Sequence, residues 1–272
     1  MTKITVMAAL ATLAGTAMAD AGDTDSVTAS LREVFEIGTP AHSTTAEDAR
    51  SNTAVYSDIT TFSGQGTTIG GATSIASNAG TKFLADRMTL TGGGTLDQFT
   101  FSVANFATVA VSARPRVRFY AADGPGGTPG TIIGGFSFNP ISFASGNVGL
   151  YTASGLAANN LTLPSGDMYA AIFFDGSGAS PVPSVANLNL LGVGMFNPPT
   201  VGSSGDSDWA STLTGGSNSL ISNPTGATRL SPYAGNPVAN YGWEIRTLDV
   251  PAPGAAALMG LVGVVGVRRR RA

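Results

Sequence analysis

The sequence predicts an all-β protein: an antiparallel β-sandwich of jelly-roll-like kind, with a cleaved N-terminal signal peptide and a short C-terminal transmembrane helix. Three observations lead there. Short apolar or alternating runs recur between clusters of Gly, Ser, Thr, Asn and Pro, which is the pattern of many strands joined by turns. Long amphipathic helical stretches are absent. Both ends of the chain carry an apolar run flanked by basic residues, a layout that serves membrane handling and not a folded core.

Met1, Thr2 and Lys3 precede an apolar run over residues 4–17, and Ala17-Met18-Ala19 leads into Asp20. A basic start, a short apolar stretch and small residues before a cut form the secretory signal layout. The run is too short for a stable span, and acidic sequence with Asp20, Asp23 and Asp25 follows at once. Cleavage by signal peptidase is expected after Ala19, once the general secretion machinery has engaged residues 1–19. Residues 20–48 then form a loosely patterned arm with one strand candidate at 34–37.

The main domain is expected over residues 49–249. Without both terminal signals the chain runs from Asp20 to Pro253, 234 residues, which suits one β domain of roughly 200–250 residues. Clear strand candidates include residues 83–90, 97–103, 116–121, 131–138, 169–175, 188–196 and 243–248. Over residues 96–103 alternation sets Leu96, Gln98, Thr100 and Ser102 opposite Phe99, Phe101 and Val103. With a side-chain period of two, the second set faces the core. Residues 123–130 read as a turn in which glycine supplies positive φ and proline fixes it. Residues 203–223 are the most polar interior segment and are expected to form a long loop or a weak hairpin. No internal repeat is evident. The block 116–175 resembles the secreted β-sandwich modules of bacterial envelope proteins, a likeness that assigns no site.

Composition narrows the function. All seventeen acidic residues lie between Asp20 and Pro253, against nine basic ones, so the mature domain carries about −8 while the whole chain carries −3. An acidic domain with Lys82 as its one lysine argues against nucleic acid as a partner. There is no cysteine, which excludes disulfides and leaves a packed core or bound ions to stabilise an exported fold. His42 is the one histidine, so thiolate and multi-histidine metal sites are excluded as well.

Catalytic motifs are missing. A nucleophilic triad would have to use His42, set in the polar run Ala41-His42-Ser43-Thr44-Thr45, and no Gly-x-Ser-x-Gly elbow is present. Gly64-Gln65-Gly66 and Gly192-Val193-Gly194 lack the rest of a dinucleotide fingerprint and read as strand and turn glycines. Glutamates number four (Glu33, Glu36, Glu47 and Glu244). In Trp243-Glu244-Ile245-Arg246 the alternation points to a core tryptophan backed by a surface ion pair. Asp206 and Asp208, like Asp23 and Asp25, place oxygens close together. That makes calcium a candidate cofactor at Asp206 and Asp208, although neither run has EF-hand spacing and loop solvation is the plainer reading. Arg114, Arg116 and Arg118 alternate onto one strand face. Guanidiniums so arranged suit uronate or sulfate groups of an acidic polysaccharide, or internal pairing with the domain's many carboxylates. Pro115 suggests an edge strand or its beginning. Trp209, in its polar segment, is the candidate for stacking on a sugar ring.

At the C-terminus Val250-Pro251-Ala252-Pro253 precedes fourteen uncharged residues and then Arg268, Arg269, Arg270 and Arg271. Fourteen helical residues cover roughly 21 Å, against a hydrocarbon core of about 30 Å. The arginines resist translocation and stay cytoplasmic, while the prolines end the helix at its outer mouth. This segment, 250–272, resembles the PEP-CTERM sorting signal, although Ala252 stands where that motif has glutamate. The resemblance implies cleavage near the motif by an exosortase, an integral-membrane cysteine protease of Gram-negative bacteria. It also implies transient inner-membrane attachment, then the cell surface or extracellular matrix as destination. An ordinary C-terminal anchor is the alternative. The resulting expectation is a non-enzymatic envelope or matrix protein whose β-sandwich associates with exopolysaccharide. A secreted carbohydrate-active enzyme, a glycoside hydrolase or lyase with dispersed carboxylates, stands as the alternative.

Overall fold

The computed structural model describes residues 52–76, 79–211 and 240–248, together with the backbone of three strands, Ser26–Thr28, Ser30–Ile37 and Ala227–Arg229. For residues 206–208 and 211 it describes the backbone alone. The signal-cleavage residues Ala17, Ala19 and Asp20, the tail residues 250–272 and His42 lie outside the described residues. Among the described residues no helix is long and apolar enough to cross a membrane.

In chain order the strands are β1 (Ser26–Thr28), β2 (Ser30–Ile37), β3 (Asn52–Ser57), β4 (Phe62–Thr68), β5 (Leu84–Leu90), β6 (Gly94–Asn105), β7 (Val111–Ala121) and β8 (Ile132–Ser137). They continue with β9 (Ile141–Phe143), β10 (Asn147–Ala153), β11 (Thr162–Leu163), β12 (Gly166–Asp175), β13 (Leu191–Phe196), β14 (Ser203–Ser211), β15 (Ala227–Arg229) and β16 (Trp243–Leu248). One helical turn, α1 (Val185–Leu188), begins where the Ser184 hydroxyl accepts from the Asn187 N–H at 3.1 Å, the usual N-cap bond.

The strands form two sheets. The first runs β1-β4-β13-β6-β10-β2, with β16 and β11 also on β6 and β3 on β16. The second runs β15-β14-β5-β12-β7-β8, with β9 against the start of β7. Pairing is antiparallel throughout except for β10 with β2, which is parallel. The sheets face each other over one continuous core. The first contributes Phe99, Phe101, Tyr151 and Trp243, and the second contributes Met88, Phe119, Ile172 and Phe174. Phe99 is its centre: its ring stacks on Trp243 (5.5 Å) and Phe101 (5.8 Å) and meets Phe119 edge-on at 5.4 Å. Each such aromatic pair adds about 0.5–1.5 kcal/mol beyond area burial.

The expected alternation over 96–103 holds from Phe99 onward and fails below it. Against β16 the register steps from Gln98↔Arg246 to Leu96↔Thr247, so Asp97 is the extra residue of a β-bulge. A bulge changes side-chain parity. Leu96 therefore joins Phe99 in the core, 0% exposed, instead of lying opposite it. The other face of β6 is also covered. There the Thr100 hydroxyl bonds that of Thr152 at 2.9 Å, and the Ser102 hydroxyl donates to the Gly194 carbonyl at 3.1 Å.

Other expectations shift for local reasons. Of residues 188–196, Leu188 closes α1 and the strand starts at Leu191. Residues 203–211 are a strand and not a loop, because the edge of β5 supplies partners to a segment of low intrinsic β-propensity. Pro115 sits in an interior strand between β12 and β8. Its carbonyl accepts from Phe138 N–H at 3.0 Å, so its missing N–H falls on that same side. There β9 has stopped pairing at Ala113 and β8 starts only at Arg116, and no ladder bond is forfeited. The turn after β7 forms as expected, with Gly126 and Gly127 at φ 71° and 77°. Asp123 fastens it by accepting from the Thr131 N–H (2.6 Å) and hydroxyl (2.7 Å).

Candidate functional site

Side chains alternate along β5, β7 and β12, so the residues out of phase with the core gather on the outer face of the second sheet. The registers align Tyr120 with Tyr169, Arg118 with Ala171, Arg116 with Phe173 and Arg114 with Asp175. On the other side of β12, Arg87 aligns with Tyr169 and Ala85 with Ala171. Phe83, Tyr120, Tyr169 and Phe173 form a separate buried cluster there, with half-buried Trp209 packed against it. The Tyr169 hydroxyl donates to the Gly127 carbonyl at 2.6 Å, tying the glycine-rich turn to this face.

Four arginines stand over the cluster in different states. Arg116 Nε meets buried Asp175 at 2.5 Å, and its guanidinium carbon lies 5.8 Å from the centre of the Phe173 ring, within cation–π range. Asp175 also accepts from the Ser177 N–H at 2.8 Å and from the Ser177 hydroxyl. Arg118 donates to the Val117 carbonyl (2.7 Å) and the Phe136 carbonyl (3.1 Å). Burial holds it below the ordinary guanidinium range, with Tyr120 acting the other way and the charge of Arg116 adding to the lowering. Arg114 Nε is buried without a hydrogen-bond partner. Arg87 pairs with Asp167 at 2.5 Å, both side chains 39% exposed. Asp167 is held below the usual carboxylate range by the Thr89 hydroxyl first and by Arg87 second.

Among the described residues this face thus sets four guanidiniums against two carboxylates, a local excess of cation on an acidic domain. The expectation that Arg114, Arg116 and Arg118 share a face holds, and of the three Arg116 pairs internally with a carboxylate. Trp209 lies on β14, opposite Ala85 on one side and Arg229 on the other. Its ring meets Tyr169 edge-on at 6.1 Å. A strand setting fixes that ring more firmly than the polar loop expected from its neighbours in sequence.

The remaining candidates resolve simply. Gly66 and Gly194 pair across β4 and β13, so both glycine runs belong to strands. Trp243 and Ile245 are in the core, while Arg246 Nε meets Glu244 at 2.8 Å and the Ser57 hydroxyl donates to Glu244 at 3.0 Å. Asp206 and Asp208 lie on the backbone of β14, and their side chains are outside the described residues.

A second polar group, between the sheets, was not anticipated. Tyr56 and Asp58 come from the end of β3, and Asp86 comes from β5; all three are 0% exposed. Neither carboxylate oxygen of Asp58 has a hydrogen-bond partner. Burial pushes the Asp58 carboxyl up to about 7. The Tyr56 phenol is raised far above its ordinary value, first by burial and then by the charges of Asp86 and Asp58. Asp86 accepts from the Tyr241 N–H at 3.1 Å and from the Ser204 hydroxyl at 3.3 Å. One signal for it exists in the sequence: Leu84, Asp86, Met88 and Leu90 share one phase of a strand, and an acid in an apolar phase faces the interior.

No protein-family model matches the sequence, and no curated protein or solved structure matches it.

Proposed function

We propose that the chain is an exported envelope or matrix protein whose β-sandwich binds acidic exopolysaccharide, without catalysis, through the outer face of its second sheet. The observation that carries this reading is the cationic, aromatic-backed surface of Arg87, Arg114, Arg116, Arg118 and Trp209 on an otherwise acidic domain. Guanidiniums match the planar, bidentate geometry of uronate or sulfate, and a half-buried indole offers an apolar face to a sugar ring. Export by the N-terminal signal and release by an exosortase acting on the C-terminal tail complete the proposal. So does a jelly-roll wiring of the sandwich. Lettered in chain order from B to I, the strands β4, β5, β6, β7, β8, β10, β12 and β13 fall as B-I-D-G in one sheet and C-H-E-F in the other, which supports two interlocked Greek keys.

A carbohydrate-active enzyme is the second reading, and Asp58 with Asp86 is the carboxylate pair that favours it. Both are shut off from a polymer by burial, while Asp123, Asp167, Asp175 and Glu244 are taken up in hydrogen bonds or ion pairs. Affinity electrophoresis separates the readings. The protein should be retarded in gels containing polygalacturonate or dextran sulfate and should run freely in neutral dextran. Arg114→Ala and Trp209→Ala should each weaken retardation about tenfold, the worth of one charge-assisted bond or one ring contact. Equal mobility in all gels overturns the binding proposal, and release of reducing or unsaturated ends from the polymer favours the enzyme.

A further inference from the structure

We propose that the interior around Asp58, Asp86 and Tyr56 is a calcium site that clamps the two sheets together. The first ground is position. Tyr56 belongs to the core cluster and therefore points between the sheets. The Asp58 N–H continues the β3–β16 pairing by donating to the Trp243 carbonyl at 2.8 Å, so its side chain follows in the phase of Tyr56. Asp86 and Ser204 reach the same interior from the second sheet, on β5 and β14. Oxygen atoms from both sheets thus face the same interior, with Tyr56 within electrostatic reach of both aspartates.

The second ground is that the Asp58 oxygens are not spent. A buried carboxylate normally holds several donors or a cation. Asp58 has neither at either oxygen, and the Tyr56 hydroxyl feels the charge of both aspartates, offset by the Ser204 hydroxyl alone. An ionised carboxylate buried without donor or counter-charge is strongly unfavourable. A bound cation supplies the counter-charge that Asp58 lacks.

The chemistry of the donors selects the ion. Carboxylate, phenol and hydroxyl oxygens with neither thiolate nor imidazole suit a hard cation. Calcium accepts six to eight oxygens in irregular geometry, whereas magnesium requires a near-ideal octahedron and keeps its waters. The backbone adds one more placement: Asp208 stands opposite Asp86 in the β14–β5 register. The acidic pair 206 and 208, read from sequence as a candidate by itself, is thereby brought to the strand beside this interior. A chain with no cysteine gains from such a clamp what a disulfide would otherwise supply. The site is independent of polysaccharide binding at the outer face.

The test uses the full chain in mild detergent, freed of metal with chelator and then titrated with calcium chloride, magnesium chloride or terbium chloride. Calcium should raise the melting temperature by about 5 °C or more and saturate within the range of extracellular calcium modules, roughly 10⁻⁴–10⁻³ M. Magnesium at equal concentration should do far less. Terbium should give luminescence on excitation of the nearby Tyr56 and Trp243, and calcium should displace it. Asp58→Asn should abolish both effects while keeping the far-ultraviolet circular dichroism of the fold. If Asp58→Asn does not fold, Tyr56→Phe serves in its place and should weaken calcium binding several-fold. No melting shift and no saturable terbium signal in the wild-type chain overturns the proposal. So does calcium binding of unchanged strength in a folded Asp58→Asn or Tyr56→Phe variant.

Discussion

Arg114, Arg116 and Arg118 share one strand face, two residues apart, and end in three different environments. Arg116 neutralises a carboxylate that water does not reach, Arg118 is tied to backbone carbonyls, and Arg114 keeps a buried N–H without an acceptor. The energetics follow from those differences. Arg116→Ala leaves Asp175 buried with only the Ser177 donors, and should lower unfolding free energy by about 3 kcal/mol in urea titrations, because a buried charge loses its counter-ion. Arg114→Ala removes an unsatisfied donor and should change stability by less than about 1 kcal/mol while weakening polysaccharide binding. Equal costs for the two would contradict the assignment of separate roles. Asp58 sets a pH dependence of its own. Its carboxyl is raised from about 4 in the unfolded chain to about 7 in the folded one. Between those values the folded state holds the extra proton, so this group makes stability fall as pH rises from about 4 to about 7 and leaves it level above. The lowered carboxyls of Asp123 and Asp167 act in a lower window, losing their contribution as pH falls below about 4. Urea midpoints at pH 5 and pH 7.5, taken in chelator, should favour pH 5, and Asp58→Asn should remove that difference.

At the scale of elements, β6 organises the molecule. It pairs with β10 on one side and with β13 and β16 on the other, and its bulge at Asp97 turns Leu96 inward. Phe99 meets Phe101, Phe119, Phe136 and Trp243. Phe99→Ala should therefore cost about 3–5 kcal/mol, the range for emptying a large aromatic site in a packed core. Its thermal unfolding midpoint is the readout, and a drop of under 1 kcal/mol would show that the rings do not interlock as described. The β4–β13 pair depends on closeness more than on bulk. A Cβ added at Gly192 would stand 1.7 Å from the Thr67 carbonyl oxygen, far inside contact distance. Gly192→Ala should separate these strands and destabilise the fold by about 1–3 kcal/mol, as overpacking does. Hydrogen exchange should rise first at the amides of β4 and β13, and uniform acceleration across both sheets would argue against a local separation.

For the whole molecule, two sheets closed over one core hold together a domain with no cysteine. Under the sorting proposal, intact-mass measurement of the mature protein from the envelope fraction should show Asp20 at its start and no Arg268–Arg271 at its end. An intact arginine tail in that fraction would overturn processing by an exosortase. What the residues determined by themselves was the all-β class and the phase of strands such as Phe99–Val103 and Trp243–Arg246. They also set the shared face of Arg114, Arg116 and Arg118. These features depend on period-two alternation, which is local and written directly in the chain. Partnership was decided only by the tertiary structure. The bulge that moves Leu96, the gap between β9 and β8 that admits Pro115, and the edge of β5 that turns residues 203–211 into a strand all depend on which backbone lies alongside. So does the meeting of Asp58, Asp86 and Tyr56. Asp86 is out of place in its apolar phase and can be noticed in the sequence, but Tyr56, on which its charge acts, comes from a strand in the opposite sheet. No local spacing encodes a proximity across the core between segments nearly thirty residues apart.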